Sequence, residues 1–303
     1  MAHQPLEELA GARVEVVSAW PALARGSRSG ARDLRPDAGS TSRRAVDVQV
    51  AVEGLDPVCE SAQARAAGRV GAAMASALAG AGAEVVVGGR DADRAEQVVG
   101  AIRGQGGSAL AVLGDLGTPD GVERFAGAVG EQADGPIDIL VNSAGLFERA
   151  EGEATPLALW DRAMAVNVTA TFLLCQIFGR SMIARGRGKI INVGSTDGIV
   201  GVPEQVAYCA SKGAVVQITK TLGAEWIKHG VNVNAIGPCD FDTPLIADAL
   251  DDPEYADWIL QAIPAGRIGQ SRELAGAAIY LASDASDMVA GHMLMVDGGR
   301  TII

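Results

Sequence analysis

Short apolar runs alternate with longer segments of helical period from about Gly68 onward. The runs are rich in β-branched residues and most are unbroken, which is typical of strands covered on both faces. Strands that alternate with helices predict an α/β fold, a doubly wound parallel sheet with helices on both faces. The predicted strands are Glu84–Val87, Ala109–Leu113, Ile137–Val141, Lys189–Val193, Val231–Ile236 and Met293–Val296, and the two longest helices cover about Leu157–Ala184 and Val206–Lys228.

The N-terminal region lacks this alternation. Ala24–Arg44 is rich in Arg, Ser and Gly and has neither the helical nor the strand period, so we expect it to be disordered or loosely held. Val46–Val52 alternates with period two, which favours a half-exposed edge strand. We therefore expect one domain over residues 61–303, preceded by an atypical, partly disordered region over residues 1–60.

Composition and charge limit the function classes. The chain has 303 residues, of which 48% are hydrophobic, enough for one large core. Its net charge of −12 argues against binding a nucleic-acid backbone and favours small molecules or other subunits as partners. The four cysteines form no C-x-x-C pair, so neither a metal site nor a disulfide framework is indicated. No secretory signal and no membrane-spanning apolar run stand out, so we expect a cytoplasmic protein without a membrane anchor.

The strongest chemical signal is the pair Tyr208 and Lys212. Side chains four residues apart share one face of a helix. A phenol has an ordinary pKa of about 10, and a nearby ammonium favours its ionised form. Tyr208 could then exchange a proton with a substrate hydroxyl while Ser195, thirteen residues earlier, holds the substrate oxygen. The alternative is an ordinary surface helix that carries a Tyr and a Lys.

Several further segments carry a family resemblance. Residues 139–145 (I-L-V-N-S-A-G), Asn167 within V-N-V-T, and Val296–Gly299 (V-D-G-G) accompany the Tyr208 segment in the expected order. The chain thereby resembles the short-chain dehydrogenase/reductases, Rossmann-type enzymes, over about residues 68–303. The resemblance implies a catalytic tetrad in which Asn167 holds a water connected to Lys212, and Lys212 also contacts the nicotinamide ribose.

The same resemblance implies a set of cofactor contacts. Glycine permits close backbone approach, and the family's nucleotide passes close to the backbone after the fourth strand. Ser143 replaces the family's second Asn there. A structural turn, or a helix-capping role for the Asp after the third strand, remains the alternative. The implied contacts are Asp115, Leu116, Asn142, Ala144, Gly145, Tyr208, Lys212, Pro238, Phe241 and Thr243.

The choice of cofactor should depend on the end of the second strand. Arg90 follows Gly88 and Gly89, where an acidic residue would bind the ribose hydroxyls of NAD. An arginine there can instead bind the 2′-phosphate of NADP. We expect NADP in preference to NAD, although Arg90 could also be a solvated residue at a helix start.

The family's glycine-rich phosphate loop is the one motif that fails to match. Counting back from the helix over Ala72–Ala83 places it at Ala64–Gly71, where Gly68 and Gly71 are the only glycines. Arg65 and Arg69 stand where glycines would let phosphates approach the backbone of a helix N-terminus. The polar segment before it is a poor central strand. Either another segment such as Val46–Val52 supplies that strand, or the reading frame is shifted upstream of about Gly68.

The sequence predicts an oxidoreductase that interconverts a secondary alcohol and a ketone. Residues 264–270 (P-A-G-R-I-G-Q) resemble the subgroup of gluconate 5-dehydrogenases, 2-deoxygluconate 3-dehydrogenases and 3-oxoacyl-carrier-protein reductases. We therefore expect a sugar acid such as gluconate as the substrate, with a 3-oxoacyl thioester as the alternative. Family members are commonly tetramers, so a homotetramer is expected. The competing interpretation is a non-catalytic chain of the same fold that lacks a functional phosphate loop.

Overall fold

Seven parallel strands form one sheet in the part of the chain that the structure describes. This computed structural model describes residues 47–51, 62–242 and 253–302. The strand order is β3-β2-β1-β4-β5-β6-β7, and each neighbouring pair is parallel. The strands are β1 (Asp47–Ala51), β2 (Glu84–Gly89), β3 (Ser108–Leu113), β4 (Ile139–Asn142), β5 (Gly188–Val193), β6 (Val231–Pro238) and β7 (Met293–Val296).

Helices connect these strands and cover both faces of the sheet. A π-helical segment, Met164–Ala170, joins α4 to α5 without a break in the helix. The strand order reverses between β1 and β4, and ligands of doubly wound sheets bind at the carboxyl ends of the strands beside such a reversal. The helices are α1 (Ala62–Gly80), α2 (Ala92–Gly104), α3 (Pro119–Gln132), α4 (Leu157–Ala163), α5 (Thr171–Arg185), α6 (Val206–Trp226), α7 (Pro253–Ala262) and α8 (Ala275–Ala282).

Two hydrophobic clusters confirm the doubly wound arrangement. Side chains alternate between the faces of a strand. Val85 and Val87 of β2 therefore pack in one cluster, with α1 and α8, while Val86 between them packs in the other, with α3 and α5. Strands buried on both faces explain why the sequence shows unbroken apolar runs in place of alternation.

The interpretation of Val46–Val52 as an edge strand is wrong. Its residues Asp47–Ala51 form β1, which pairs with β2 on one side and β4 on the other. Central position depends on backbone pairing on both sides, whereas period-two alternation reports only on side-chain faces. Counting back from the helix had placed this central strand in the polar segment just before Ala64. The structure shows that Asp47–Ala51 forms it instead. The sheet thus includes residues before the expected boundary at 60/61.

The expected phosphate loop at Ala64–Gly71 is helical. Helix α1 begins at Ala62, so Gly68 and Gly71 lie inside it and not in a turn between strand and helix. Residues 62–67 (A-Q-A-R-A-A) are good helix formers that extend the helical pattern toward the N-terminus. The connection from β1 to α1, residues 52–61, lies outside the described residues, as does the Ala24–Arg44 segment expected to be disordered.

The helix that runs over Leu157–Arg185 is long and apolar enough, by length and composition alone, to cross a membrane. Among the described residues it is the only such helix. Its side chains Leu174, Phe178 and Met182 are buried in the cluster that covers one face of the sheet. Packing of this kind accounts for its apolar composition without a membrane.

Candidate active site

Ser195, Tyr208 and Lys212 meet at the carboxyl edge of the sheet. Ser195 follows β5, and the other two lie on the first turns of α6, which brings them over the end of that strand. Ser195 and Lys212 are both buried. The Lys212 Nζ atom donates to the Val193 carbonyl oxygen at 2.8 Å and lies 5.6 Å from the centre of the Tyr208 ring. The structure therefore brings together three of the four predicted catalytic residues.

Tyr208 is held as a neutral phenol in this arrangement. Burial raises its pKa, the charge of Asp197 raises it further, and a hydrogen bond with Ser195 acts in the opposite direction. Burial also lowers the pKa of Lys212 to about 8, against the effect of Asp197. Burial is the largest influence on both groups, and it favours the neutral form of each. In this state Tyr208 is a proton donor.

Asn167, the fourth predicted catalytic residue, lies in the π-helical segment between α4 and α5. Its amide group donates to the Leu146 carbonyl oxygen at 2.9 Å and to Ser211 Oγ at 2.9 Å, and its Oδ1 accepts from the Leu146 amide. Segments of π-helix are frequent at functional sites. These bonds tie the segment after β4 to helix α6, which carries Tyr208 and Lys212.

Gly145 lies directly beside Lys212 and Asn167. A Cβ atom at this position would lie 3.6 Å from Lys212 Nζ and 3.7 Å from Asn167 Oδ1. The absence of a side chain lets another group reach both atoms. Nearby, Asn142 Oδ1 and Ser143 Oγ are buried and have no hydrogen-bond partner among the described residues. Unpaired buried acceptors and donors indicate a missing ligand or water at this edge.

The predicted adenine-side residues also meet. Arg90 follows β2 and Asp115 follows β3, and their side chains form an ion pair at 3.7 Å. Asp115 also accepts from the Gly117 backbone amide at 2.9 Å, and Leu116 beside it is buried. Arg90 is 25% exposed and Asp115 is 59% exposed. The pair lies at the carboxyl edge of the sheet, where a guanidinium group could bind an anion.

The loop after β6 is partly described. Pro238 ends β6, and Phe241 is buried against Gly269. Thr243 lies outside the described residues. The guanidinium group of Arg69, in α1, donates to the Asp242 carbonyl oxygen at 3.3 Å. Arg69 thus connects the helix that contains Gly68 and Gly71 to this loop.

Sequence reasoning missed a cluster of charged side chains beside Tyr208, which we call the Asp197–Arg300–Asp240 cluster. Arg300 pairs with Asp240 at 2.7 Å and lies 3.8 Å from Asp197. Burial raises the pKa of both carboxyl groups, whereas Arg300 acts to lower it. The sequence did hold one signal for this cluster, because each member closely follows a motif residue. Asp197 lies two residues after Ser195, Asp240 two after Pro238, and Arg300 one after Gly299.

Comparison with known proteins identifies the family. The family model described as enoyl-(acyl carrier protein) reductase matches residues 66–301. The gluconate 5-dehydrogenase of Gluconobacter oxydans is 40% identical over 233 residues, 77% of this chain and 91% of that protein. The D-threitol dehydrogenase of Mycolicibacterium smegmatis is 41% identical over 237 residues, 78% of this chain and 90% of that protein. The chain belongs to the short-chain dehydrogenase/reductase family, as its motifs predicted.

A solved structure agrees with the fold. The gluconate 5-dehydrogenase from Burkholderia cenocepacia, in complex with NADP and tartrate, has a TM-score of 0.75 and 36% sequence identity to this chain. The match covers 85% of this chain and 96% of that one. The doubly wound Rossmann-type sheet is therefore confirmed.

Proposed function

We propose that the chain interconverts a secondary alcohol and its ketone by exchanging hydride with NADP(H) or NAD(H). The observation that carries this proposal is the convergence of Tyr208 and Lys212 on the end of β5 that carries Ser195: Lys212 Nζ lies 5.6 Å from the centre of the Tyr208 ring and 2.8 Å from the Val193 carbonyl oxygen. Membership of the short-chain dehydrogenase/reductase family supports the same reaction class. When bound, the nicotinamide ring supplies or accepts the hydride.

The residues at the sheet edge fit a dinucleotide. The lack of a side chain at Gly145 permits close approach of the nicotinamide ribose beside Lys212 Nζ and Asn167 Oδ1, and Ala144 and Asn142 belong to the same segment. Arg90, Asp115 and Leu116 would hold the adenosine half. Pro238, Phe241 and Thr243 would cover the nicotinamide. Gly68 and Gly71, which the resemblance also implies as contacts, lie in the second and third turns of α1.

The proton step follows from the geometry of Tyr208. In ketone reduction, the Tyr208 hydroxyl donates its proton to the substrate oxygen, which Ser195 holds by a hydrogen bond. Tyr208 Oη is then negative, and the Lys212 ammonium stabilises that charge at close range. Alcohol oxidation reverses these transfers. A water held by Asn167 would return the proton to solvent through Lys212.

A polyhydroxylated compound is the proposed substrate. The family resemblance favours a sugar acid such as gluconate, with a 3-oxoacyl thioester as the alternative. Similarity to a gluconate 5-dehydrogenase and a D-threitol dehydrogenase supports the polyhydroxylated class. Arg90 supports NADP over NAD, because a guanidinium group binds phosphate bidentately. A cytoplasmic homotetramer is proposed on family resemblance alone.

A second candidate is a chain of the same fold that does not bind the dinucleotide. Residues 64–71, where the motif count expects the phosphate loop, lie within α1 and form no turn between strand and helix. Binding of the pyrophosphate at a helix N-terminus requires close backbone approach.

Cofactor titration separates these candidates. The purified chain is titrated with NADPH and with NADH while tryptophan fluorescence and the melting temperature are recorded. The oxidoreductase proposal requires saturable quenching and a higher melting temperature, because a ligand of the native state stabilises it. No quenching and no shift with either nucleotide would establish the non-binding candidate.

A further inference from the structure

The Asp197–Arg300–Asp240 cluster places two carboxyl groups beside the reaction centre. Arg300 carries the one positive charge of the cluster and is already paired with Asp240 at 2.7 Å and near Asp197 at 3.8 Å. Its side chain is only 8% exposed and lies 5.6 Å from the centre of the Trp258 ring. The cluster itself holds two carboxyl groups and one guanidinium group, and the charge of Lys212 acts on Asp197 from outside it.

The cluster is part of the catalytic neighbourhood. The Asp197 backbone amide donates to Ser195 Oγ at 3.1 Å. The charges of Asp197 and Asp240 both act on the Tyr208 phenol. The two carboxyl side chains remain 14% and 23% exposed, so solvent-sized groups reach them. A substrate held by Ser195 and Tyr208 therefore extends into the field of both carboxylates.

Gln205 adds an independent indication of the ligand. It is the N-cap residue of α6, immediately before the helix that carries Tyr208. Gln205 is only 5% exposed, and its Oε1 atom has no hydrogen-bond partner among the described residues. A buried acceptor is rarely left without a donor. An O–H group of a ligand would supply that donor.

From these acceptors we infer that the site selects a neutral polyol over the sugar acid with the same carbon skeleton. This inference rests on the proposed oxidoreductase function and narrows its substrate class. Polyol hydroxyls donate to the carboxylates of Asp197 and Asp240 and to Gln205 Oε1, and accept from Arg300. A substrate carboxylate offers no donor to these acceptors and adds a further negative charge beside Asp197 and Asp240, while Arg300 is already paired with Asp240.

Matched substrate pairs test the inference on the wild-type chain. Oxidation with NADP⁺ and NAD⁺ is measured for D-glucitol against D-gluconate, galactitol against D-galactonate, and D-threitol against D-threonate. The members of each pair differ only at C1, as CH₂OH or carboxylate. We expect kcat/KM to be higher for the polyol, by about tenfold or more, in each pair that reacts. An equal or higher value for the acid overturns the inference.

A charge-neutralising variant tests the role of the cluster itself. Asp240→Asn removes one carboxylate from it and frees Arg300 from its close partner, so the polyol-to-acid ratio of kcat/KM should fall about tenfold. The matched control is Asp134→Asn, an exposed carboxylate on the loop before β4 at the opposite edge of the sheet. An unchanged ratio in folded Asp240→Asn, verified by its melting curve, would rule out the cluster as the cause.

These measurements distinguish failure of the polyol preference from failure of the oxidoreductase function on which it rests. Faster oxidation of the acids, abolished by Tyr208→Phe, would overturn the polyol inference and leave the oxidoreductase function standing. No oxidation of any of the six compounds by a chain that binds NADPH would overturn both for this substrate class. A polyol preference that is lost in Asp240→Asn supports both.

Discussion

Lys212 Nζ donates to the Val193 carbonyl oxygen at 2.8 Å, and this bond fixes the base of the reaction centre to the end of β5. Val193 is the last residue of that strand, and Ser195 follows two residues later. The same lysine is four residues, or one helical turn, after Tyr208. One hydrogen bond thus aligns the helix that carries Tyr208 with the strand end that carries Ser195.

Replacement of Lys212 by Met should change the pH dependence of stability. Because burial lowers the pKa of Lys212 to about 8 from 10.5, its charged form destabilises the folded state at pH 7 by about 3 kcal/mol. This penalty is present below pH 8 and disappears as the pH rises to 10.5. Relative to Lys212→Met, the wild-type chain should therefore gain about 2 to 3 kcal/mol of unfolding free energy between pH 7 and pH 10.

Urea unfolding at several pH values measures that difference. Lys220→Met, an exposed lysine on the same helix, is the control and should show no such gain. A constant difference between wild type and Lys212→Met from pH 7 to pH 10 would show that Lys212 does not titrate in this range.

Asn167→Leu should reduce both stability and turnover. The substitution leaves the Leu146 amide and carbonyl groups without their partner and removes the bond to Ser211 Oγ. Loss of buried hydrogen bonds of this kind costs about 2 to 4 kcal/mol in total. Turnover per folded molecule should fall at least about tenfold, because the loop after β4 and the proposed proton path both depend on Asn167.

Asn232→Leu is the matched control for that variant. Asn232 is equally buried and donates to three backbone carbonyls, but it lies on β6 near the opposite edge of the sheet. Denaturant unfolding should show a comparable loss of stability with turnover per folded molecule preserved. Equal loss of turnover in both variants would assign Asn167 a purely structural role.

Arg90→Ala should weaken NADPH binding selectively. Removal of the guanidinium group removes the charge available to the 2′-phosphate, which NADH lacks. We expect the Kd for NADPH to rise about tenfold or more while the Kd for NADH changes little, as measured by calorimetric titration. Arg94→Ala, one turn further along and paired with Asp91, is the control. Equal weakening of both nucleotides would show that Arg90 does not discriminate between them.

The motifs that sequence reasoning located correctly depend on local spacing. Tyr208 and Lys212 share a helix face whatever surrounds them, and the apolar strand runs reflect burial on both faces. Such signals are present in a single sequence. The NADP preference that Arg90 suggests is a prediction from residue type at one position, and the Arg90→Ala titration tests it.

The features that the sequence analysis missed or placed wrongly are set by contacts between distant parts of the chain. The central position of β1 comes from pairing with β2 and β4, and period-two alternation cannot report such pairing. The Asp197–Arg300–Asp240 cluster joins residues about 100 positions apart, so no local pattern marks it. The upward shift in the pKa of Tyr208 depends on burial in the assembled site.

Turnover by Tyr208→Phe tests the central claim most directly. The variant lacks the one hydroxyl that can exchange a proton with the substrate oxygen, while its ring stays in edge contact with Phe147. NADP(H)-dependent interconversion of polyols and their ketones is measured for wild type, Tyr208→Phe and the control Tyr280→Phe, whose side chain is exposed on α8. We predict that kcat falls about 10²- to 10⁴-fold in Tyr208→Phe alone, with NADPH binding retained. Unchanged turnover in that variant would contradict the account.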